Sequence, residues 1–403
     1  MAKLIFHPEL IPDKAAFAAL CPFGAIEVHG DAVEPTAGCK MCGLCVKKGP
    51  AGAAEMVQDA PAPQVDKSAW RGILVYADHV EGALHPVTFE LLGKARELAA
   101  EIGHPVYALL LGDGVKAAAE ELTHWGADRV LVYDQPALRD FRLDAYTAAF
   151  ADAVAHLRPT AILVGATTVG RQLAPRVAAR LHTGLTADCT VLKMEKNTDL
   201  VQIRPAFGGN IMAQIITPNH RPQMATVRYK VMDAPARQAQ GSGTIESRAL
   251  PPEKLQSGVT VLSVTPKPAE AGIEHADVLV VAGRGLRKES DLQLLKDLAE
   301  ELGGQLACTR PLVECGWVEA RRQVGLSGRT VRPRLLITCG VSGAIQFVAG
   351  MNHAGTIIAI NKDENAPIFK TAHVGLVGDL YEIVPALTQA IRADKEARPC
   401  NAC

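Results

Sequence analysis

Short hydrophobic runs alternate with longer amphipathic stretches along most of the chain from residue 70 onwards. The runs predict strands over residues 73–76, 106–111, 129–133, 161–164, 278–281, 305–308, 335–338, 356–360 and 374–377. The amphipathic stretches predict helices over residues 88–102, 116–124, 144–157, 170–181 and 291–302. Strands that alternate with helices are typical of parallel sheets with helices on both faces. The pattern therefore predicts an α/β fold with two doubly wound parallel-sheet domains, preceded by a small segment of another kind.

Two polar stretches separate these parts of the chain. Residues 50–67 are rich in alanine and proline, and residues 236–258 are polar with glycine and proline. Such compositions are typical of linkers and connections. The predicted domains are residues 1–65, 66–258 and 259–403.

A turn of small residues follows the predicted strand 335–338. Gly340, Ser342 and Gly343 lie between this strand and a predicted helix over residues 344–351, with the strand 356–360 after it. Backbone N–H groups at such a turn suit a phosphate or another electron-rich ligand group. The spacing alone fits an ordinary strand-to-helix turn equally well.

Composition and charge exclude several classes of protein. The 403 residues are 48% hydrophobic and 21% charged, with a net charge of −1, so no general basic field favours nucleic acid. No apolar run approaches the ~20 residues of a membrane span, and the N-terminus lacks the apolar centre of a signal peptide. We expect a cytoplasmic protein without a membrane span.

Four of the ten cysteines precede residue 46, which indicates a local metal or redox site. Cys39, Cys42 and Cys45 have the C-x2-C-x2-C spacing that wraps three corners of an iron–sulfur cube, and Cys21 is available as the fourth ligand. The same four thiolates are also able to bind zinc. A second pair, Cys400 and Cys403, forms a C-x-x-C at the C-terminus.

The N-terminal segment resembles a bacterial-type ferredoxin, in which the Cys-Pro of one motif ligates the cluster held by the other motif. Cys21 is followed by proline, and the positions at which a second cluster needs cysteines carry Ile11, Lys14, Phe17 and Gly49. The resemblance therefore implies one [4Fe–4S] cluster on Cys21, Cys39, Cys42 and Cys45.

The C-terminal third resembles the flavin-binding core of the electron-transfer flavoprotein alpha subunit. Several separated motifs of that family occur here in the family's order: residues 340–346, 349–351, 359–363, 366–369 and 379–380. The resemblance implies FAD as cofactor. The residues it places around FAD are Arg284, Thr309, Arg310, Val324, Gly325, Leu326, Ser327, Ser342, Gly343, Ala344, Ile345, Gln346, Phe347, Asn361, Asp379 and Leu380.

The same resemblance implies individual roles. Arg310 lies over the flavin ring, where a cation stabilises the anionic reduced flavin. Ser327 takes the position of a hydroxyl residue, more often threonine, that hydrogen-bonds flavin N5. Asn361 and Asp379 bind the adenosine end. Phe347 replaces a histidine that many members carry near the pyrimidine edge, so we expect less stabilisation of negative charge there.

The resemblance also implies partners. The domain of residues 66–258 would dock a beta subunit that carries a second flavin and the NADH site. Single electrons would pass between that subunit, FAD, a flavin-dependent dehydrogenase of the acyl-CoA or 2-hydroxy acid type, and ferredoxin, in flavin-based electron bifurcation. Two alternatives are a non-bifurcating carrier with a structural or relay cluster, and a non-redox scaffold with a zinc knuckle. The sequence has no nucleophile or paired-carboxylate constellation of the kind that would indicate a self-contained catalyst.

Overall fold

The computed structural model describes residues 2–58, 65–206, 211–265 and 272–397. They form two compact units, an N-terminal unit of residues 1–65 and a main unit of residues 66–403, and each is described by itself. The terminal pair Cys400 and Cys403 lies outside the described residues. No helix in the described ranges is both long and apolar enough to cross a membrane.

The N-terminal unit has two antiparallel strand pairs with short helices between them. Its elements are β1 (Ala2–Phe6), α1 (Lys14–Ala19), β2 (Ile26–His29), β3 (Ala32–Pro35), α2 (Leu44–Lys48) and β4 (Ala54–Gln58). Strand β1 pairs with β4, and β2 pairs with β3. Phe6 and Phe17 meet edge to face at 5.2 Å in a small core that also contains Leu4, Val33 and Cys45.

The main unit begins with a seven-stranded parallel sheet covered by helices. The elements of this part are β5 (Ile73–Tyr76), β6 (His79–Val80), β7 (Ala83–Leu84), α3 (Val87–Ile102), β8 (Val106–Gly112), α4 (Lys116–Thr123), β9 (Arg129–Asp134), α5 (Leu143–Leu157), β10 (Ala161–Gly165), α6 (Thr168–Arg180), β11 (Leu185–Cys189), β12 (Val191–Met194), β13 (Leu200–Ala206), β14 (Ile211–Ile215), β15 (Gln223–Val227) and β16 (Thr244–Ser247). The sheet order is β11-β15-β10-β5-β8-β9-β16. Hydrophobic clusters fill both of its faces, as the continuous apolar strands predict.

Several features of this part differ from the sequence prediction. Strands β11 and β15 of the parallel sheet and the short pair β6 and β7 were not predicted. The stretch 236–258 is more than a connection, because β16 within it pairs in parallel with β9 at the edge of the sheet. Strands β12, β13 and β14 form a separate antiparallel sheet that the hydrophobic pattern did not predict. Side chains of β12 alternate between buried and exposed, those of β14 are mostly exposed, and only the first three residues of β13 are buried, so no long apolar run marks these strands.

The last part of the main unit is a five-stranded parallel sheet. Its elements are β17 (Val278–Ala282), α7 (Leu292–Glu301), β18 (Gln305–Cys308), α8 (Arg310–Glu314), β19 (Leu335–Cys339), α9 (Ile345–Val348), β20 (Thr356–Asn361), β21 (Val374–Val377) and α10 (Leu380–Ala397). The order is β18-β17-β19-β20-β21, with apolar clusters on both faces. The prediction of an α/β fold with two parallel sheets is confirmed. The helix predicted over residues 344–351 is shorter, a single turn at Ile345–Val348.

A buried carboxyl group ties α3 to the segment that leaves β15. Glu90 is 7% exposed, and its carboxylate accepts a hydrogen bond from the backbone N–H of Lys230 at 3.0 Å. Burial raises the pKa of Glu90 from 4.5 to about 7, although the N–H groups of Lys230 and Met232 oppose this shift. The folded protein therefore binds this proton more tightly than the unfolded chain does.

We predict that Glu90 makes the protein less stable as the pH rises. A raised carboxyl pKa favours the folded state below pH 4.5, and this contribution is lost as the pH passes through about 7. Glu90→Gln should remove about 1–2 kcal/mol of pH dependence between pH 5 and 8, after allowance for solvent screening. Urea unfolding of both proteins across this range measures it, and parallel pH profiles would contradict the assignment.

Candidate functional site

Three glycines bring two loops into backbone contact at the carboxyl edge of the five-stranded sheet. Gly283 and Gly285 follow β17, and Gly340 follows β19 with φ +65°. A methyl group at Gly283 would lie 2.2 Å from the carbonyl oxygen of Gly340, and the N–H of Gly285 donates to that oxygen at 3.0 Å. Any side chain at these positions would separate the loops. Ligands of open α/β sheets bind at this edge.

A cavity of about 700 Å³ opens beside these loops and is called the C-terminal cavity below. Its size is within the range of sites for small molecules and cofactors. Twelve of the sixteen predicted FAD residues line it: Arg284, Thr309, Arg310, Val324, Gly325, Leu326, Ser327, Ser342, Ala344, Gln346, Phe347 and Asn361. The structure therefore brings together residues that are up to 77 positions apart, between Arg284 and Asn361.

The other four predicted residues do not line the cavity. Gly343 is buried with φ +84°, while Ile345 is half exposed to solvent. Asp379 accepts the backbone N–H of Tyr381 at 2.9 Å at the start of α10, and Leu380 is buried in the core. Asp379 is on the surface, where its carboxylate also meets Arg287 at 3.3 Å.

The cavity wall also contains residues that sequence reasoning did not assign to the site: Gly285, Pro311, Gln323, Gly340, Val341, Asp363, Ala366 and Pro367. Most of them lie inside or beside the motifs that carry the family resemblance, so their position in the sequence was a usable signal. Gln323 lies directly before the predicted stretch 324–327, but nothing in the sequence marked this polar residue itself as part of the site.

Arg310 begins α8 directly after β18 and extends its guanidinium group towards solvent at the cavity mouth. Its Nε donates to Glu314 Oε1 at 2.8 Å, one helical turn along, and 67% of the side chain is exposed. An exposed ion pair of this kind contributes little stability. The guanidinium group is therefore free to exchange Glu314 for an anionic or aromatic ligand at low cost.

A tight loop over residues 323–329 forms another wall. The N–H of Leu326 donates to the carbonyl of Gln346 at 2.8 Å, which joins this loop to the turn after β19. Ser327 Oγ accepts a hydrogen bond from Gln323 Nε2 at 2.8 Å. From the seven-stranded half, Arg228 Nη2 donates to the Leu326 carbonyl at 2.9 Å. The loop is therefore held from outside by Gln346 and Arg228, and the contact between Gln323 and Ser327 stabilises it internally.

Asn361 closes the far end of the cavity at the end of β20. Its Nδ2 donates to the carbonyl of Val341 at 2.8 Å, and its Oδ1 accepts the N–H of Asp363 at 3.0 Å. Phe347 lines the cavity although only 6% of it is exposed, because most of the ring packs into the core below. This wall is apolar where a histidine would offer a donor.

The N-terminal unit has a small pocket lined by all four predicted metal ligands, Cys21, Cys39, Cys42 and Cys45. The N–H of Ala25 donates to Cys21 Sγ, and that of Met41 donates to Cys39 Sγ, both at 3.4 Å. Among the described residues, no three His, Cys, Asp or Glu side chains are grouped to hold one metal ion. We call this site the cysteine pocket.

The cysteine pocket is unfavourable for free thiolates. Burial raises the pKa of the Cys45 thiol, and the neighbouring Cys39 and Cys42 raise it further. Several thiolates so close together need a cationic centre between them. The four cysteines that line this pocket are chemically suited to a soft metal centre, either a zinc ion or an iron–sulfur cluster.

Two family models match the main unit. One, described as the electron transfer flavoprotein domain, matches residues 73–253, and the other, the electron transfer flavoprotein FAD-binding domain, matches residues 272–352. The electron transfer flavoprotein subunit alpha of Megasphaera elsdenii is 45% identical over 82% of this chain and 99% of its own length. The chain belongs to the electron-transfer flavoprotein alpha-subunit family.

Two other relatives are also similar to this alpha subunit over most of its length. The lactate dehydrogenase (NAD(+),ferredoxin) subunit LctC of Acetobacterium woodii is 54% identical over 93% of this chain and 90% of its own length. This alignment necessarily includes part of residues 1–65. Protein FixB of Azorhizobium caulinodans is 43% identical over 81% of this chain and 89% of its own length. The family resemblance predicted from the sequence is confirmed, and the FAD-binding match supports FAD as the cofactor.

Gly343 of this alpha subunit provides a test of the turn beside the cavity. A methyl group there would lie 2.3 Å from the backbone nitrogen of Ile368. Gly82 is a matched control, because its φ of +83° is within 1° of the +84° of Gly343 but nothing lies within 4 Å of an added methyl group. We predict that Gly82→Ala costs about 1–2 kcal/mol, whereas Gly343→Ala costs at least about 2 kcal/mol more and releases FAD. Urea unfolding and FAD retention on gel filtration measure this, and equal effects would contradict it.

Phe347 provides a second test. A histidine there would place a donor at the apolar wall and stabilise negative charge on the flavin. We predict that Phe347→His raises the first one-electron potential by roughly 60–120 mV, the equivalent of a hydrogen bond to a charged group. Phe347→Leu, which adds no donor, is the control. Potentiometric titration decides the matter, and an unchanged first potential in Phe347→His would refute it.

Proposed function

We propose that this alpha subunit carries single electrons through FAD in the C-terminal cavity and a [4Fe–4S] cluster in the cysteine pocket. Its electron partners would be an NADH-linked beta subunit, a flavin-dependent dehydrogenase of the acyl-CoA or 2-hydroxy acid type, and ferredoxin. The observation that carries the proposal is the coexistence of both sites in one chain: a cavity of about 700 Å³ and a pocket lined by four cysteines.

The C-terminal cavity offers the groups that a flavin requires. FAD supplies the electron-accepting ring when it is bound, and the protein supplies groups that orient the ring and tune its charge. Arg310 would lie over the ring, Ser327 would donate to flavin N5, and Asn361 would bind the adenosine end. Asp379 and Leu380 would act through the start of α10, since they do not line the cavity.

The N-terminal unit supports a ferredoxin-like iron–sulfur domain. Its elements follow the order β-α-β-β-α-β, which occurs in ferredoxin-like folds. The two backbone N–H groups that donate to cysteine sulfurs are of the kind that tune iron–sulfur clusters.

Similarity to LctC supports electron bifurcation, because that relative's name joins NAD, ferredoxin and a dehydrogenase. We infer that residues 66–258 dock the beta subunit and that the cluster passes electrons to ferredoxin. The alternative function is a non-bifurcating carrier in which the cluster is a relay or a structural element. This alternative is favoured by the Megasphaera elsdenii relative, which matches 82% of this chain and is named only as an electron transfer flavoprotein subunit alpha.

We predict roughly four irons per chain in the anaerobically purified complex with the beta subunit. Cys42→Ser should remove the broad visible absorbance of the cluster and reduce ferredoxin reduction at least tenfold, while FAD content is unchanged. Cys315→Ser is the matched control, because Cys315 is exposed and lies outside the cysteine pocket. Stoichiometric zinc without iron would rule the cluster out.

The same preparations separate the two functions. In bifurcation, NADH reduces ferredoxin only while a second, higher-potential acceptor takes the other electron. Ferredoxin reduction that needs no second acceptor would contradict bifurcation. Full acceptor-linked turnover in Cys42→Ser would assign the cluster a structural role.

A further inference from the structure

The residue that contacts Ser327 is Gln323, which lies on the wall of the C-terminal cavity and is only 7% exposed. Its Nε2 lies 2.8 Å from Ser327 Oγ, whereas Ser327 itself is open to the cavity. The amide of Gln323 is buried and held in place, whereas the exposed hydroxyl group of Ser327 is able to rotate. The amide is therefore placed to set the orientation of the hydroxyl group.

The backbone of Gln323 is fixed from both directions. Its N–H donates to the carbonyl of Ala320 at 3.1 Å, and its own carbonyl accepts the N–H of Arg329 at 2.7 Å. A methyl group at Gly328 would lie 2.2 Å from the same carbonyl, so the loop closes tightly around it. The amide therefore meets Ser327 from a rigid position.

The direction of this hydrogen bond decides what Ser327 can do. A hydroxyl group has one proton and two acceptor lone pairs. When Ser327 Oγ accepts from Gln323, its single proton remains available for donation into the cavity. If the side-chain carbonyl oxygen of Gln323 accepted a hydrogen bond from Ser327 instead, the hydroxyl proton would be used in that bond. The hydroxyl group would then face the cavity as an acceptor only.

We propose that Gln323 is a positioning residue that makes Ser327 a hydrogen-bond donor towards flavin N5. The inference rests on the proposed placement of FAD beside Ser327. An electron-rich nitrogen accepts this bond more strongly as reduction places negative charge on the ring. Hydrogen bonds in a chain also polarise one another, so the amide strengthens the donor that it aligns. Gln323 therefore raises the flavin's first one-electron potential without touching the flavin.

A double-mutant cycle on the complex with the beta subunit tests the proposal. The variants are Gln323→Leu, Ser327→Ala and both together, and the first potential of this chain's flavin is titrated in each. We expect Gln323→Leu to lower the equilibrium constant for one-electron reduction about threefold to tenfold, or about 30–59 mV at 59 mV per tenfold. In the Ser327→Ala background, the same substitution should have no effect, because the hydroxyl group through which it acts is absent.

Two further variants fix the direction of the bond. Gln323→Glu presents acceptors only, so it should capture the Ser327 proton and lower the potential at least as much as Gln323→Leu. Gln346→Leu is the matched control, because Gln346 also lines the cavity but holds the loop through its backbone carbonyl. Its effect should be additive with that of Ser327→Ala. Ser327→Thr keeps the hydroxyl group and should keep the response to Gln323→Leu.

The outcomes separate this inference from the function on which it rests. FAD content and thermal unfolding are measured first, and a wild-type complex without FAD on this chain would overturn the proposed function itself. If FAD binds but Gln323→Leu shifts the potential equally with and without Ser327, Gln323 acts independently and the inference fails. A rise in potential in Gln323→Leu also overturns it. If Gln323→Leu loses FAD, the double-mutant cycle with Ser327→Ala is carried out with Gln323→Glu instead. A shift in potential that is equal with and without Ser327 would again overturn the inference.

Discussion

The flavin-binding half depends on a backbone-to-backbone contact between the ends of β17 and β19. Gly283 and Gly285 lie against Gly340 with no side chain between them. The N–H of Gly285 donates to the carbonyl of Gly340, and the N–H of Gly283 donates to the carbonyl of Cys339, the residue before it. This contact brings the loops after β17 and β19 together beside the cavity, and residues that follow β18, β19 and β20 line its walls. Polar groups on distant parts of the chain then converge on one space.

Much of this architecture was predictable because parallel strands buried on both faces read as continuous apolar runs. Strands β5, β18 and β21 begin and end where the pattern predicts. The antiparallel strands β12 and β14 were missed because many of their side chains are exposed, and β13 was missed because only its first three residues are buried. The helix after Gly343 was overestimated, because the apolar residues up to Met351 continue into turns of the core rather than into a helix.

The candidate site was predictable to the extent that short motifs carry it. Most residues that line the cavity lie in or beside segments that the family resemblance singled out. Gln323 escaped because its contact with Ser327 arises from an irregular loop, where no periodicity relates one position to the next. Asp379 shows the opposite case: its motif matches, yet in this structure it caps α10 and pairs with Arg287 rather than lining the cavity. A matching motif indicates that a segment is common to the family, but the contacts that its side chains make are known only from the structure.

Arg228 connects the seven-stranded half of the main unit to the loop that carries Ser327. Its guanidinium group is 11% exposed, its pKa is lowered by burial, and it donates to the carbonyl that precedes Ser327. Asp188 lies 3.4 Å from this guanidinium group, so the charge beside the loop is that of an ion pair. With FAD placed beside Ser327 as proposed, this ion pair would influence the electron affinity of the flavin. By linkage, reduction of the flavin would change the strength of the contact between Arg228 and the loop by the same free energy.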